Sequence, residues 1–170
     1  MKHFRTLLAI LFVTALLLAI PRRTEAQTAI YGGFSGANIT SGPTSSAYGG
    51  MVGLYAQSGH YAYFGGDFRG TFLSRNGFNY FTGALGPRLA FKPPVLPLRP
   101  YIEGLVGVAS YNGGGNSSSS NHLNYQAVVG ADWTLVPHID WRVLEYAYSG
   151  TNGGPLRANI FSTGLVVRLW

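Results

Sequence analysis

Beyond its N-terminal region, the chain alternates between apolar and polar or small residues with a period of two. In the segment YFGGDFRGTF, Phe64, Phe68 and Phe72 share one face, while Asp67 and Arg69 lie on the opposite face. This period is typical of β-strands, and no long stretch has the spacing of an amphipathic helix. Clusters of Gly, Pro, Asn and Ser separate the alternating stretches. We predict eight strands, over residues 28–38, 47–57, 61–73, 79–92, 100–111, 122–134, 140–149 and 158–169.

The alternation reaches the C-terminal strand, where Leu165 and Val167 point one way and Arg168 points the other. Most predicted strands are as long as the ~9–11 residues that a tilted strand needs to cross a membrane. Two architectures fit this pattern. A soluble barrel would bury its apolar face and could bind a hydrophobic ligand inside, whereas a membrane barrel turns that face outward to lipid.

Three features favour the membrane barrel. The polar face is rich in Gly, Ala, Ser and Thr, as a narrow lumen requires, and it carries few charges. Phe91, Trp133 and Tyr148 lie near strand ends on the apolar face, where interfacial aromatic residues belong. The strand count is even. We therefore predict an all-β fold, an eight-stranded antiparallel up-and-down transmembrane β-barrel over residues 27–170.

Composition agrees with this interpretation. Charged residues make up 11% of the chain, against about a quarter in an average soluble domain. So few charges would solvate a water-facing surface poorly. Half of the formal net charge of +6 lies in residues 1–26, and no basic block remains beyond them, so nucleic acid is not a predicted partner. Cysteine is absent.

The pattern of the N-terminal segment predicts a secretory signal peptide. A basic segment, MKHFR, precedes the apolar run LLAILFVTALLLAI, and PRRTEA then leads to a small residue, Ala26. The run is shorter than the ~20 residues of a spanning helix, although an uncleaved anchor is the alternative. We predict a signal peptide over residues 1–26.

The connections fall into two classes. QSGH, LVPHID and the proline-rich KPPVLPLRP are compact or stiff, and a periplasmic N-terminus would place them on the periplasmic side. Apart from the short SRNG, the remaining connections are long and polar. These loops, over residues 39–46, 111–121 and 150–157, are candidates for contact with an extracellular ligand.

Several of these segments resemble OmpA/OmpX-like small outer-membrane barrels. LEY in the seventh strand and GLVVRL in the eighth resemble the end of the OmpA transmembrane domain, and GPRLAF followed by YIEGLVGVA resembles strands four and five of small barrels. The resemblance implies localisation in the bacterial outer membrane, contact with its lipid, and insertion by the barrel assembly machinery. In that family, a C-terminal aromatic residue signals to the machinery. Here Val167 and Leu169 match its phase, and Trp170 follows one residue late.

Seven charged residues are predicted to face the lumen with nearly balanced charge: Asp67, Arg69, Arg88, Glu103, Asp132, Glu145 and Arg168. Arg88 and Glu103 lie at similar distances from their shared turn and should pair. The whole set can be a salt-bridge network that satisfies buried charges in a plugged lumen. It can also be a gate for ions, a role that the resemblance implies for Glu145 and Arg168.

Arg142 shares its phase with Leu144, so we expect it to face outward and reach the lipid headgroups.

No catalytic or cofactor site is predicted. His60, His122 and His138 do not lie beside a serine with an acidic residue on the same strand face. His138 and Asp140 are too few to hold a metal. We therefore expect a non-enzymatic outer-membrane barrel with a structural or surface-interaction role. The alternative is a narrow channel for ions or small solutes, gated by the lumen salt bridges.

Overall fold

The computed structural model describes residues 25–40, 45–113, 120–153 and 156–169. Most of the predicted signal peptide, the central parts of the three long loops and Trp170 lie outside these residues. Among the described residues, no helix is long and apolar enough to cross a membrane. The eight strands are β1 (Glu25–Thr40), β2 (Ser46–Gly59), β3 (Ala62–Arg75), β4 (Phe78–Phe91), β5 (Leu98–Gly113), β6 (Ser120–Val136), β7 (Ile139–Asn152) and β8 (Arg157–Arg168).

Each strand pairs antiparallel with the next, and β1 also pairs with β8, which closes the barrel. The predicted all-β, eight-stranded up-and-down topology is therefore confirmed. We call the end of the barrel that carries the N-terminus of β1 and the connections after β2, β4 and β6 the turn end. The opposite end, with the connections after β1, β3, β5 and β7, is the loop end.

The polarity of the barrel is inverted relative to a soluble protein. Phe68, at the middle of β3, is 52% exposed on the outer face, while its neighbour Asp67 is 3% exposed in the lumen. Leu165 of β8 is likewise exposed outward. An outer surface of this kind needs an apolar surrounding, because exposed apolar area on this scale is unfavourable in water. A soluble barrel with an apolar lumen requires the opposite orientation, so that alternative is wrong.

The lumen is filled differently at its two ends. Near the loop end, five large apolar side chains are buried, and they are Ile39, Leu73, Phe78, Leu156 and Ile160. At mid-height and towards the turn end, the buried side chains are mostly charged residues and tyrosines. We call the first group the apolar layer.

The predicted outward position of Arg142 is wrong, because its side chain is fully buried in the lumen. The cause is a β-bulge in β7. Between Arg142 and Glu145, β7 has two residues where both neighbouring strands have one. The extra residue inverts the alternation. Arg142 and Glu145, three positions apart, therefore both face the lumen.

Candidate functional site

The site is a layer of buried charges across the middle of the lumen. It contains three arginines and four acidic residues from five consecutive strands, β3 to β7. Because alternate residues of a strand face the same side, each strand needs only one or two charges of the correct phase to contribute. The seven residues are Asp67, Arg69, Arg88, Glu103, Asp132, Arg142 and Glu145.

Arg69 contacts three carboxylates. Its Nη1 donates a hydrogen bond to Oε1 of Glu145 at 2.7 Å, and its Nη2 donates to Glu103. Its Nε donates to Oδ1 of Asp67 at 3.3 Å. The whole guanidinium is therefore surrounded by carboxylates.

Arg88 shares one of these carboxylates. Its Nη1 donates to Oε1 of Glu103, and its Nη2 donates to Oδ2 of Asp132 at 3.1 Å. The remaining Nε donates to the amide oxygen of Gln57 at 3.2 Å. Glu103 thus bridges two arginines, one through each oxygen, and the predicted pairing of Arg88 with Glu103 is present.

Arg142 closes the arrangement. Its Nε donates to Oδ1 of Asp132 at 3.0 Å, and its Nη1 donates to Oε2 of Glu145 at 3.0 Å. Each of the three bridging acids therefore contacts two arginines, and each arginine contacts two of these acids. The contacts form a closed ring of alternating charge, in the order Arg69, Glu103, Arg88, Asp132, Arg142, Glu145 and back to Arg69. We call these six residues the charge ring.

Tyrosines complete the environment of the charge ring. The guanidinium carbon of Arg88 lies 3.8 Å from the ring centroid of Tyr101 and 4.2 Å from that of Tyr55. The guanidinium carbon of Arg142 lies 4.1 Å from the centroid of Tyr31. The Nη2 of Arg142 is buried without a hydrogen-bond partner, and the face of the Tyr31 ring adds a favourable contact to a guanidinium that Asp132 and Glu145 already bind.

The tyrosine hydroxyls also hold acidic side chains in place. Tyr101 donates to Oε2 of Glu145 at 2.6 Å. Tyr31 donates to both oxygens of Asp67, at 2.8 and 2.9 Å. Asp67 is thus attached to the charge ring through Arg69 and anchored by Tyr31 on the other side.

Tyr101 depends on a glycine opposite it. Gly130 of β6 pairs with Tyr101 of β5, and a Cβ at Gly130 would lie 2.4 Å from the Tyr101 hydroxyl oxygen. We expect Gly130→Ala to lower the free energy of unfolding by about 1–3 kcal/mol, because overpacking would displace Tyr101 from Glu145. The control is Gly104→Ala, where a Cβ would meet nothing within 4 Å. Equal unfolding midpoints of the two variants in urea would contradict this role of Gly130.

Arg168, the remaining residue of the predicted lumen set, lies apart from the charge ring. It pairs with Asp140 near the turn end, where its Nη2 donates to Oδ1 of Asp140 at 3.0 Å. Glu145 and Arg168 have different partners and do not contact each other among the described interactions. The pair that the family resemblance suggested as a gate is therefore not formed in this structure.

Sequence reasoning missed Arg142 and Asp140, the tyrosines Tyr31, Tyr55 and Tyr101, and Gln57. The bulge hid Arg142, but a signal was present. Two charged residues three positions apart cannot share one face of a regular strand. Either Arg142 or Glu145 therefore had to face outward, or the strand had to be irregular between them. Tyr101 carried a signal as well, because it shares its phase with Glu103 and so faces the lumen, but the alternation does not show which charged side chains it contacts.

Other candidate residues do not form a further centre. Val167 and Leu169 lie exposed on the outer face, and the backbone N–H of Leu169 donates to the carbonyl of Thr28, which continues the pairing with β1. His60 lies against Tyr61, and His122 stacks on Tyr111. Within the described ranges, no three His, Asp or Glu side chains lie close enough to hold a metal ion.

No family model matches the sequence, and no curated protein matches it. Solved structures do match. Neisserial surface protein A is 18% identical over 84% of this chain and 97% of its own, with a TM-score of 0.57. Ail of Yersinia pestis is 14% identical over 85% of this chain and 99% of its own, also with a TM-score of 0.57. The outer-membrane enzyme PagL is 17% identical over 84% of this chain and 97% of its own, with a TM-score of 0.51.

These likenesses show that the chain has the fold of small outer-membrane β-barrels, as the resemblance implied. Because one of the three is an enzyme, the fold alone does not separate an enzyme from a non-enzymatic barrel.

Proposed function

We propose that the protein is a small barrel of the bacterial outer membrane with a structural or surface-interaction role, and that its lumen is closed. The exposed apolar belt around the barrel supports the membrane location. In this proposal the segment 1–26 is removed on export, and the C-terminal strand, with Val167, Leu169 and Trp170, is the segment that the barrel assembly machinery reads.

The observation that carries the closed lumen is the succession of two packed layers. The charge ring spans the lumen at mid-height with its arginines and acids mutually bound. The apolar layer lies above it, towards the loop end. An ion that passed through would have to break several buried ion pairs and then cross apolar side chains, both of which are unfavourable.

The loop end supports a role in surface interaction. Arg75, the last residue of β3, and Arg157, the first residue of β8, flank its connections, and the four connections contain no acidic residue. Arg157 is exposed, and Arg75 stacks over the ring of Tyr48, with its guanidinium carbon 5.5 Å from the centroid. This composition favours an anionic partner. Ail, which shares the fold, has been solved in complex with the heparin analogue sucrose octasulfate, which is consistent with a polyanion as the partner class.

The environments of His60 and His138 support a non-enzymatic role. His60 is exposed in the turn after β2, and its described ring contact is with Tyr61. His138 lies in the turn after β6 with a positive φ of 71°. Neither takes part in a described hydrogen bond with a serine or an acidic side chain, which a general base on the barrel would need.

Planar-bilayer recording tests the closed lumen. We expect neither the reconstituted wild type nor Glu145→Ala to give resolved conductance steps, because the apolar layer still closes the lumen when the charge ring is opened. Arg157→Ala, at the loop end, is the matched control and should remain silent. Resolved steps in the wild type that change in Glu145→Ala would instead identify a narrow channel. Heat-modifiable migration on gels, with recovery in the membrane fraction, checks that each variant has folded.

A further inference from the structure

A second group of cationic side chains surrounds a cavity at the turn end of the lumen. The cavity has a volume of about 200 Å³ and lies between the N-terminal strand, the β4–β5 and β6–β7 connections and the end of β8. Its polar lining comes from Gln27, Tyr63, Lys92, Arg99, His138 and Arg168.

The lining is strongly unbalanced in charge. Lys92, Arg99 and Arg168 are basic side chains, and Asp140 already binds Arg168 through an ion pair of 3.0 Å. Asp132 lies opposite Arg99 in the pairing of β5 with β6, but its carboxylate is held by two arginines of the charge ring. Among the described side chains, no carboxylate contacts Lys92 or Arg99.

Arg99 is the most informative member of the group. It is 8% exposed, yet its described hydrogen bond is a single one, from Nη1 to the amide oxygen of Gln27 at 3.3 Å. That oxygen also accepts a hydrogen bond of 2.9 Å from Gln57. In contrast, the arginines of the charge ring each contact two or three carboxylates. No nitrogen of Arg99 is among the buried side-chain atoms that lack a partner, so its remaining N–H groups are available at the cavity to a charged acceptor.

We propose that this cavity is a binding site for a phosphate-type oxyanion, either free phosphate or the phosphate group of a lipid headgroup. Arg99 offers a planar fork of N–H donors that matches two oxygens of one anion, and Lys92 adds a compact charge. Arg168 and His138 line the cavity from β8 and from the turn after β6. Donors that converge from several strands suit a tetrahedral anion better than a planar one.

The position of the cavity allows both sources of phosphate. Tyr61, Phe91 and Trp141 are exposed on the outer face around the turn end, where aromatic residues mark the level of the lipid headgroups. The cavity opens at the mouth of the lumen on that side, which is also accessible to soluble anions. Glu25 and Ala26, which lines the cavity, both precede the predicted cleavage site, so the processed chain would lack both and would begin at Gln27 beside the cavity.

The test measures anion binding to the purified protein in zwitterionic detergent micelles. Sodium phosphate is titrated at constant ionic strength with chloride as reference, and both the unfolding temperature and the ³¹P line width are recorded. In a second arm, nanodiscs containing phosphatidylglycerol are compared with pure phosphatidylcholine, and lipid retained by the released protein is detected by native mass spectrometry.

We expect saturable binding in the wild type and binding about tenfold weaker in Arg99→Gln, because a charged hydrogen-bond donor is lost. Arg157→Gln, which removes an arginine at the loop end, should bind as the wild type does. If Arg99→Gln does not fold, the exposed Lys92→Gln serves as the test variant. Saturation with phosphate in micelles identifies a soluble anion, and saturation with phosphatidylglycerol alone identifies a lipid headgroup. No saturation in either arm, or equal binding by the wild type and the cavity variant, would overturn the proposal.

Discussion

Replacing Glu145 with alanine is expected to lower the free energy of unfolding by about 3–5 kcal/mol, the usual cost of removing one partner from a buried ion pair. Glu145 binds Arg69 through both oxygens and Arg142 through Oε2, and it also accepts a hydrogen bond from Tyr101. Its removal leaves two buried guanidinium groups undercompensated. Urea unfolding in detergent micelles, followed by tryptophan fluorescence, measures the loss.

Two variants show whether the charge ring itself is responsible. Glu145→Gln keeps the shape and a hydrogen-bond acceptor but removes the charge, so we expect an intermediate loss. Asp140→Ala removes a carboxylate outside the charge ring, and we expect a smaller loss because Arg168 remains partly exposed to water. If Glu145→Ala destabilised the barrel no more than Asp140→Ala, the charge ring would not be a cooperative unit.

Stability alone does not explain why such a ring exists, because well-packed apolar residues often replace a buried ion network without loss. Register offers a better explanation. A slip of one residue moves every side chain of a strand to the other face. In this barrel, a slip of β7 would move Glu145 from the lumen into lipid, where an ionised group is costly. The contacts between β3 and β7 therefore oppose wrong pairing of five strands at once.

The alternation of apolar and polar residues was enough to predict the eight strands and the face that each presents. Both follow from the local geometry of an extended chain, in which Phe68 and Asp67 must point in opposite directions. The inversion of polarity was also predictable, because the low content of charged residues and the length of the strands both indicate a membrane barrel.

The partners of the charged residues were less predictable. Arg88 and Glu103 could be paired because one turn fixes the register of their strands. The spacing of Arg142 and Glu145 indicates either an outward charge or an irregular strand, but it does not say which, because the bulge depends on how β7 pairs with both neighbours. Arg168 was placed correctly in phase, but its partner Asp140 lies on a strand whose alignment with β8 depends on the same bulge.

The second large loss of stability is expected from a charge introduced on the outer face of the barrel. Phe68 is near the middle of β3, paired with Leu54 of β2 and Leu85 of β4, both also exposed outward. We expect Phe68→Arg to lower the free energy of unfolding in lipid vesicles by ~2–4 kcal/mol, the cost of an arginine at the bilayer midplane. Phe91→Arg, at the turn end, is the matched control with an expected loss of ~0–1 kcal/mol. Equal, small losses for both variants would mean that no hydrocarbon layer covers Phe68, and the membrane assignment would then lose its physical basis. A depth-dependent loss can arise only if the exposed belt lies in lipid, because water solvates an arginine equally well at both positions.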